Sequence, residues 1–245
     1  MSKFNYQNDC RPLFELLTEK QKEIIIRRFG LADGFPAPET LESIGQDLGL
    51  TRERIRQIVE AGLNKMRESK TSKETTRFFS VLRQYLAKHG GFRKEAMIFE
   101  DPLFNHQQKA SSWLAFLLAL DGKLARVNES RKNYAFWVID QKTAALALKI
   151  IERIKKTLAK EQKPLNLSRL ISRLGPVKHP EQLALAGALE ISKEIGRTFD
   201  NSYGLKIWPE VSPRGVKDLA RLILKKTKKP LHFKRVAELI DNFLS

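Results

Sequence analysis

The chain has 245 residues, room for about two to four compact units, and carries a formal net charge of +17 from 45 Lys and Arg against 28 Asp and Glu. That excess favours a polyanionic partner through counterion release, although charge alone also fits a basic ribosome-associated or membrane-surface protein. Cys10 is the only cysteine, which excludes an intrachain disulfide and a cysteine-based zinc site and fits a reducing compartment.

Residues 1–17 form a short lead. Lys3 is followed by polar residues rather than an apolar core, so no signal peptide is expected. Leu13, Phe14, Leu16 and Leu17 are expected to cover the core of the first domain. Thr18 and Gln21 make a capping-box pattern. It opens a helix through Ile24, Ile25, Arg28 and Phe29 that Gly30 stops. Residues 33–38 read as a loop. Leu41, Ile44 and Leu48 then space a helix capped by Thr40, Gly49 supplies a turn, and Thr51 caps the next helix. In that helix Ile55, Ile58, Val59, Gly62, Leu63 and Met66 recur at helical spacing, forming an apolar stripe. Arg52, Glu53, Arg56, Gln57 and Glu60 share one arc of roughly 140° away from the stripe's centre. Two short helices across a glycine turn, the second with an Arg- and Gln-bearing face, read as a helix-turn-helix.

Ser69 to Thr76 is polar and serves as a junction. Beyond it a weak internal repeat runs through the chain, its units starting about 70 residues apart, a usual domain size. Phe79 to His89, Leu148 to Leu158 and Val216 to Leu224 are amphipathic helices. Each precedes a break and a second helix, starting near Arg93, over Lys163–Ile171 and over Lys229–Ile240. The first two units continue with a third helix, Gln107–Leu120 and Pro180–Ser192, and a hairpin. The hairpin strands are Lys123–Val127 with Tyr134–Ile139, and Glu194–Phe199 with Tyr203–Trp208. That order is the winged-helix plan. The longest apolar run, Trp113 to Leu120, is too short to span a bilayer. A soluble, cytoplasmic protein without a membrane partner is expected.

The expected fold is therefore mainly α. A helix-turn-helix domain over 10–70 is followed by winged-helix-like units over 75–140 and 141–210, each with a small β-hairpin wing, and by an incomplete unit over 211–245. The third unit ends where the other two add a helix and wing, so the chain is expected to be a fragment or to need a partner there.

The chemistry concentrates in the helix-turn-helix. Arg pairs with guanine O6 and N7, Gln with adenine N6 and N7, and Glu accepts from cytosine N4. Arg52, Arg56 and Gln57 lie where the N-terminal turns of a recognition helix enter the major groove. The competing reading is a charged, solvated helix face. The third helices of the middle units are mostly apolar, through Trp113, Leu114, Phe116, Leu117, Leu118 and Leu120, and through Leu183, Leu185, Ala186, Ala188 and Leu189. They read as core or interface. Phe136, Trp137 and Trp208 read as strand residues packed in a core rather than as base-stacking platforms. Arg131 and Lys132 at a wing tip, and the run Lys225, Lys226, Lys228 and Lys229, are either solvated or in contact with phosphate. His89, His106, His179 and His232 lack metal spacing, and no GxxxxGK[ST] loop occurs. No cofactor, metal or enzymatic activity is expected.

The string from Leu17–Thr18 through Arg27-Arg28-Phe29-Gly30-Leu31, Asp33-Gly34 and Thr40-Leu41-Glu42-Ser43-Ile44-Gly45 to Leu48-Gly49-Leu50-Thr51-Arg52-Glu53-Arg54-Ile55-Arg56-Gln57-Ile58 resembles region 4 of the bacterial sigma-70 family. The resemblance implies that the helix from Thr51 reads the promoter −35 element in double-stranded DNA. It places Arg52, Glu53, Arg56 and Gln57 at base-contacting positions and Arg54 at a phosphate-side position. Thr40, Leu41 and Glu42 match a backbone contact at a helix N-terminus. It also implies RNA polymerase, through its β flap, as a partner. The family follows Gln-Ile with Glu-Ala-Lys-Ala-Leu, whereas Val59-Glu60-Ala61-Gly62-Leu63 stands here. A basic position is lost at Ala61, which implies a change in affinity or sequence preference. The parts of the family that melt the −10 element and bind the polymerase clamp are expected to be missing. Pro213 to Ala220 with Lys229 to Ile240 resembles the first half of a HARE-type winged helix, which implies nucleic-acid or polymerase association. Sequence-directed docking at a −35-like element is the first reading of the whole. The alternative is an RNA polymerase-binding accessory or scaffold protein with little base-specific reading.

Overall fold

The structure, a computed structural model, describes residues 4–31, 37–69, 73–107, 109–175, 181–227 and 230–244. Asn5 opens the first helix, α1 (Tyr6–Phe14), by accepting the Asn8 N–H at 3.0 Å. Asp9 accepts the Asn5 N–H at 2.8 Å in return, so donors orphaned at a helix start are satisfied. The lead expected over residues 1–17 is thus largely a helix. Pro12 lies inside it and masks it in the sequence, because proline removes a helical donor. Leu13 and Leu17 are buried, as expected, while Leu16 is 36% exposed.

The helix-turn-helix forms where the residues require it. Thr18 and Gln21 make the reciprocal capping box of α2 (Glu19–Phe29), which ends at Gly30 with φ 65°. Thr40 caps α3 (Leu41–Leu48) by accepting the Ser43 N–H at 3.1 Å. Gly49 takes φ 64°, the left-handed conformation that favours glycine. The expected loop at 33–38 lies mostly outside the described residues. Thr51 then caps α4 (Arg52–Glu68), accepting the Arg54 N–H at 3.2 Å. Ile55, Val59, Gly62, Leu63 and Met66 are buried along α4, and Ile58 is half-buried.

Two contacts fix the crossing of these helices. The Leu50 N–H donates to Gly45 O at 2.8 Å, and a Cβ on Gly45 would meet Leu50 O at 2.6 Å. Only a residue without a side chain allows this approach. The second contact is ionic. Arg27, 7% exposed, grips Glu39 through Nε at 2.8 Å and Nη2 at 2.7 Å, and reaches Asp47 Oδ2 at 2.6 Å. Arg28 Nη1 donates to Glu39 O at 2.8 Å. α2, the segment entering α3 and the end of α3 are thereby joined by charge-assisted bonds, the stronger kind. Hydrogen bonds from Arg27 hold the Glu39 carboxyl below the usual range, against the opposing effect of its burial.

The chain continues through α5 (Lys73–Lys88), β1 (Phe92–Lys94), α6 (Glu95–Glu100), α7 (Ala110–Asp121), β2 (Ala125–Val127) and β3 (Phe136–Val138). The strands form an antiparallel sheet in the order β1-β3-β2. The expected hairpin is therefore present, with an added strand. That strand corrects the helix expected from Arg93. Phe92 pairs with Val138 and Lys94 with Phe136, and the helix begins at Glu95. Three residues are too few to show strand alternation. The polar junction also shrinks: Thr75 is fully buried on α5, and its hydroxyl donates to Asp9 O at 3.4 Å.

The chain divides into two compact units, residues 1–127 with 136–143, and residues 128–135 with 144–245. In the first, one core runs from Tyr6 to Trp137. α7 is its centre: Trp113, Leu114, Phe116, Leu117, Leu118 and Leu120 are all buried. Phe116 meets Phe14 of α1 at 5.3 Å and Phe29 of α2 at 5.6 Å. Arg67 of α4 caps the carbonyl end of α7, donating to Ala119 O at 2.7 Å and Leu120 O at 3.0 Å. The apolar side of the helix-turn-helix therefore rests on α7.

The second unit holds α8 (Gln141–Glu161, shared at its start), α9 (Leu167–Leu174), α10 (Glu181–Ile191), the hairpin β4 (Ile195–Arg197) and β5 (Tyr203–Leu205), α11 (Val216–Thr227) and α12 (Phe233–Leu244). Pro180, expected to open α10, lies outside the described residues. β5 stops before Trp208, which was expected to be its end. The Trp208 N–H turns back to Leu205 O at 2.9 Å, and its ring covers Gly204, where a Cβ would meet Cε3 at 3.0 Å. Among the described residues no helix is long and apolar enough to cross a membrane.

Gly45→Ala should destabilise the first unit by roughly 1–3 kcal/mol, although alanine gains about 1 kcal/mol in helix propensity. A denaturant melt showing a neutral or stabilising effect would contradict the close approach at Leu50 O. Arg27→Ala should cost about 2 kcal/mol by leaving Glu39 without its main donor. Because the folded Glu39 is held low, its contribution is complete above the unfolded value of about 4.3 and fades as pH falls through the folded one. Urea melts between about pH 5 and pH 3 should show wild type losing more stability than Glu39→Gln.

Candidate nucleic-acid interface

The cap at Thr51 sets where α4 begins, and so where its side chains point. Arg52, Glu53, Arg54, Arg56, Gln57 and Glu60 are all exposed, and Glu53, Gln57 and Glu60 lie farthest around the helix from the buried stripe. They are not independent. Arg56 lies between two carboxylates, with Nε and Nη2 on Glu53 at 2.9 and 2.8 Å and Nη1 on Glu60 at 2.8 Å. Gln57 Nε2 donates to Glu53 Oε1 at 3.4 Å, and Arg54 Nη1 donates to Gln57 Oε1 at 3.3 Å. Arg52 makes no hydrogen bond or ion pair among the described residues and acts on Glu53 only through space.

Hydrogen bonds from Arg56 hold the Glu53 carboxyl below its usual range, and the Glu53 bond raises Arg56 above its own. Both stay charged near neutral pH. Exposed ion pairs of this kind contribute little net stability, because solvent screens them. The guanidinium can therefore be handed from Glu53 and Glu60 to another planar acceptor at small cost. A base edge with two acceptors offers the geometry that Arg56 now finds in Glu53.

Thr40, Leu41 and Glu42 lie at the start of α3. The Ser43 N–H is capped by Thr40, while the Leu41 and Glu42 N–H groups have no acceptor among the described residues. These are the donors that helix starts offer to anions. No hydrogen bond among the described residues ties this trio to the α4 set. Glu53, Arg54, Arg56, Gln57 and Glu60 are thus joined to one another, and the α3 trio stands as a separate cluster.

Sequence reading left two supports of the site out of its candidate residues. Glu60 restrains Arg56, and its i, i+4 spacing made that legible. The bonds of Arg27 to Glu39 and Asp47 link residues 12 and 20 positions apart, and no local pattern announces them.

The remaining basic and aromatic groups have other placements. Arg131 and Lys132 are exposed. Lys225 pairs with Glu210 at 3.4 Å, and Lys228 and Lys229 lie outside the described residues. Phe136 and Trp137 are buried, with Trp137 Nε1 donating to Glu95 at 2.9 Å. On α10, Ala184, Leu185, Ala188 and Ile191 are buried while Leu183 is 37% exposed. His179 lies outside the described residues. Among the described residues no cluster of His, Cys, Asp and Glu could hold a metal ion. Burial pushes the Cys10 thiol up to about 12, far from a reactive thiolate.

RNA polymerase sigma-C factor of Nostoc sp. (strain PCC 7120 / SAG 25.82 / UTEX 2576) is 45% identical to this chain over 64 residues. Those residues are 26% of this chain and 15% of that protein, so the chain spans a small part of the relative's length. Residues 13–68, which reach from the end of α1 to the end of α4 and carry the whole candidate interface, match the family model described as Sigma-70, region 4.

Proposed function

We propose that this chain is a sequence-specific DNA-binding transcription protein that docks at a promoter −35-like element through α4 and contacts RNA polymerase. One observation carries the reading. The polar residues of the first turns of α4 all face solvent behind a capped glycine turn, within the segment that matches Sigma-70, region 4. Arg52, Glu53, Arg56 and Gln57 contact bases in the major groove, and Arg54 contacts a phosphate. The free N–H groups near Thr40, Leu41 and Glu42 receive a second phosphate. The polymerase contact is made with the β flap. The chain acts in the cytoplasm and catalyses no reaction. α11 and α12 serve as the first half of a HARE-type winged helix that associates with nucleic acid or polymerase.

A second reading makes the chain an accessory protein held to polymerase with little base reading. It is favoured by a cleft of 360 Å³ in the first unit, lined by Phe14, Ile26, Leu31 and Trp113 with Gln7, Asn8 and Arg11 at its side. A cleft of that kind takes an apolar side chain of a protein partner.

Arg56→Ala and Gln57→Ala should each weaken binding to a −35-like duplex by roughly ten- to a hundredfold and leave random duplex nearly unchanged. Equal loss on both duplexes would remove base reading. In cells, crosslinking with and without a double substitution at Arg52 and Arg56 separates the readings. Sites that share a −35-like sequence and vanish on mutation support DNA reading, and unchanged promoter occupancy supports recruitment by polymerase.

A further inference from the structure

α8 carries six basic residues against two acidic ones, Glu152 and Glu161. Their arrangement is not even. Lys149, Arg153, Lys156 and Lys160 recur at i, i+4, i+7 and i+11, so they fall within an arc of about 60° along about 16 Å of helix. All four are exposed, while Ile150, Ile151, Ile154 and Leu158 are buried on the other side.

The two carboxylates of α8 make their ion pairs outside this stripe, and Glu152 acts on Lys156 only through space. Glu152 is bonded to Lys155 at 3.0 Å, and Glu161 to Arg173 at 3.0 Å. Neither of those cations belongs to the stripe. Arg153 donates to Leu174 O, a carbonyl at the end of α9. Lys149, Lys156 and Lys160 make no ion pair or hydrogen bond among the described residues. Like charges at i, i+4, here Lys149 with Arg153 and Lys156 with Lys160, oppose helix formation. A polyanion laid along the stripe relieves that repulsion.

We propose that this face of α8 is a sequence-independent docking surface for the phosphate backbone of duplex nucleic acid. A straight row of cations fits a regular line of phosphates and carries no donor and acceptor pattern suited to base edges. A lipid surface fits less well. A helix lying in a membrane interface needs an exposed apolar face, and among the described residues the exposed large apolar residue of α8 is Leu148, at 42%, about 110° from the stripe. The surface stands independently of base reading by α4, since it belongs to the second unit.

The test uses the full chain and a random-sequence duplex, with affinity measured over a salt series for wild type and Lys149→Ala/Lys156→Ala/Lys160→Ala. The slope of log affinity against log salt should become shallower by about 2–3, one phosphate per lysine. Lys156→Ala alone should account for about one, which keeps the test valid if the triple variant is unstable. Arg56→Ala should change sequence preference while leaving this lysine-dependent step in place, so failure of either idea is seen separately. An unchanged slope in both lysine variants overturns the proposal. So does loss of binding to phosphatidylserine vesicles with duplex binding intact, which would make the partner a membrane.

Discussion

The exposed polar face of α4 takes its direction from the contact at Gly45 between the backbones of α3 and of the segment entering α4. With the Leu50 N–H on Gly45 O at 2.8 Å, there is no space for a side chain, and the angle between the two helices follows from that contact. Gly49 then reverses the chain, and Thr51 fixes the residue at which α4 begins. A shift of one residue in that start would turn the helix by about 100° and carry either Arg56 or Gln57 off the exposed arc. The Arg27 bonds act on the same geometry from the other side, by tying α2 to both ends of α3. Turn, cap and ion cluster are thus parts of one device for aiming four side chains.

What that device rests on is α7. In the winged-helix plan the third helix is the one placed to meet DNA, but here it is consumed by the core. Its aromatic ring at Phe116 packs on Phe14 and Phe29, and Arg67 of α4 satisfies its final carbonyls. Each large apolar side chain buried there contributes about 1.5–3 kcal/mol relative to exposure. A helix stabilising the unit in this way cannot also lie in a groove. The region 4-like segment and the residues after it therefore share one core in the first unit.

The elements that could be read from sequence are those governed by local rules. Caps at Thr18, Thr40 and Thr51, stops at Gly30 and Gly49, and the apolar stripe of α4 each depend on residues within a turn or two, and the structure has them as expected. Elements dependent on distant partners were not legible. α1 is held by Tyr6, whose hydroxyl donates to Phe104 O at 2.7 Å, 98 positions away, and Pro12 argued against a helix. β1 is three residues long and exists because β3 offers it an edge. Trp208 leaves the expected strand because Gly204 gives its ring a place to pack. At the candidate interface the residue types and their exposure were legible, but the carboxylates around Arg56 were only half visible, since spacing shows what can pair and not what does.

Charge is handled in two different ways along the chain, and the difference bears on function. On α4 the cation nearest the centre of the polar arc is matched by Glu53 and Glu60. That pairing lowers its general attraction to phosphate and leaves geometry as the main basis for exchange with an outside acceptor. On α8 the carboxylates form their ion pairs with other cations, and the row of lysines has no direct ion pair among the described residues, with Glu152 acting on Lys156 only through space. Unmatched charge attracts any polyanion, with strong dependence on salt and little on sequence. Matched charge attracts weakly until a partner reproduces the geometry of the carboxylates it displaces. Under the proposed function and the proposed α8 surface, discrimination and general affinity fall to separate helices, so a substitution that alters one need not alter the other.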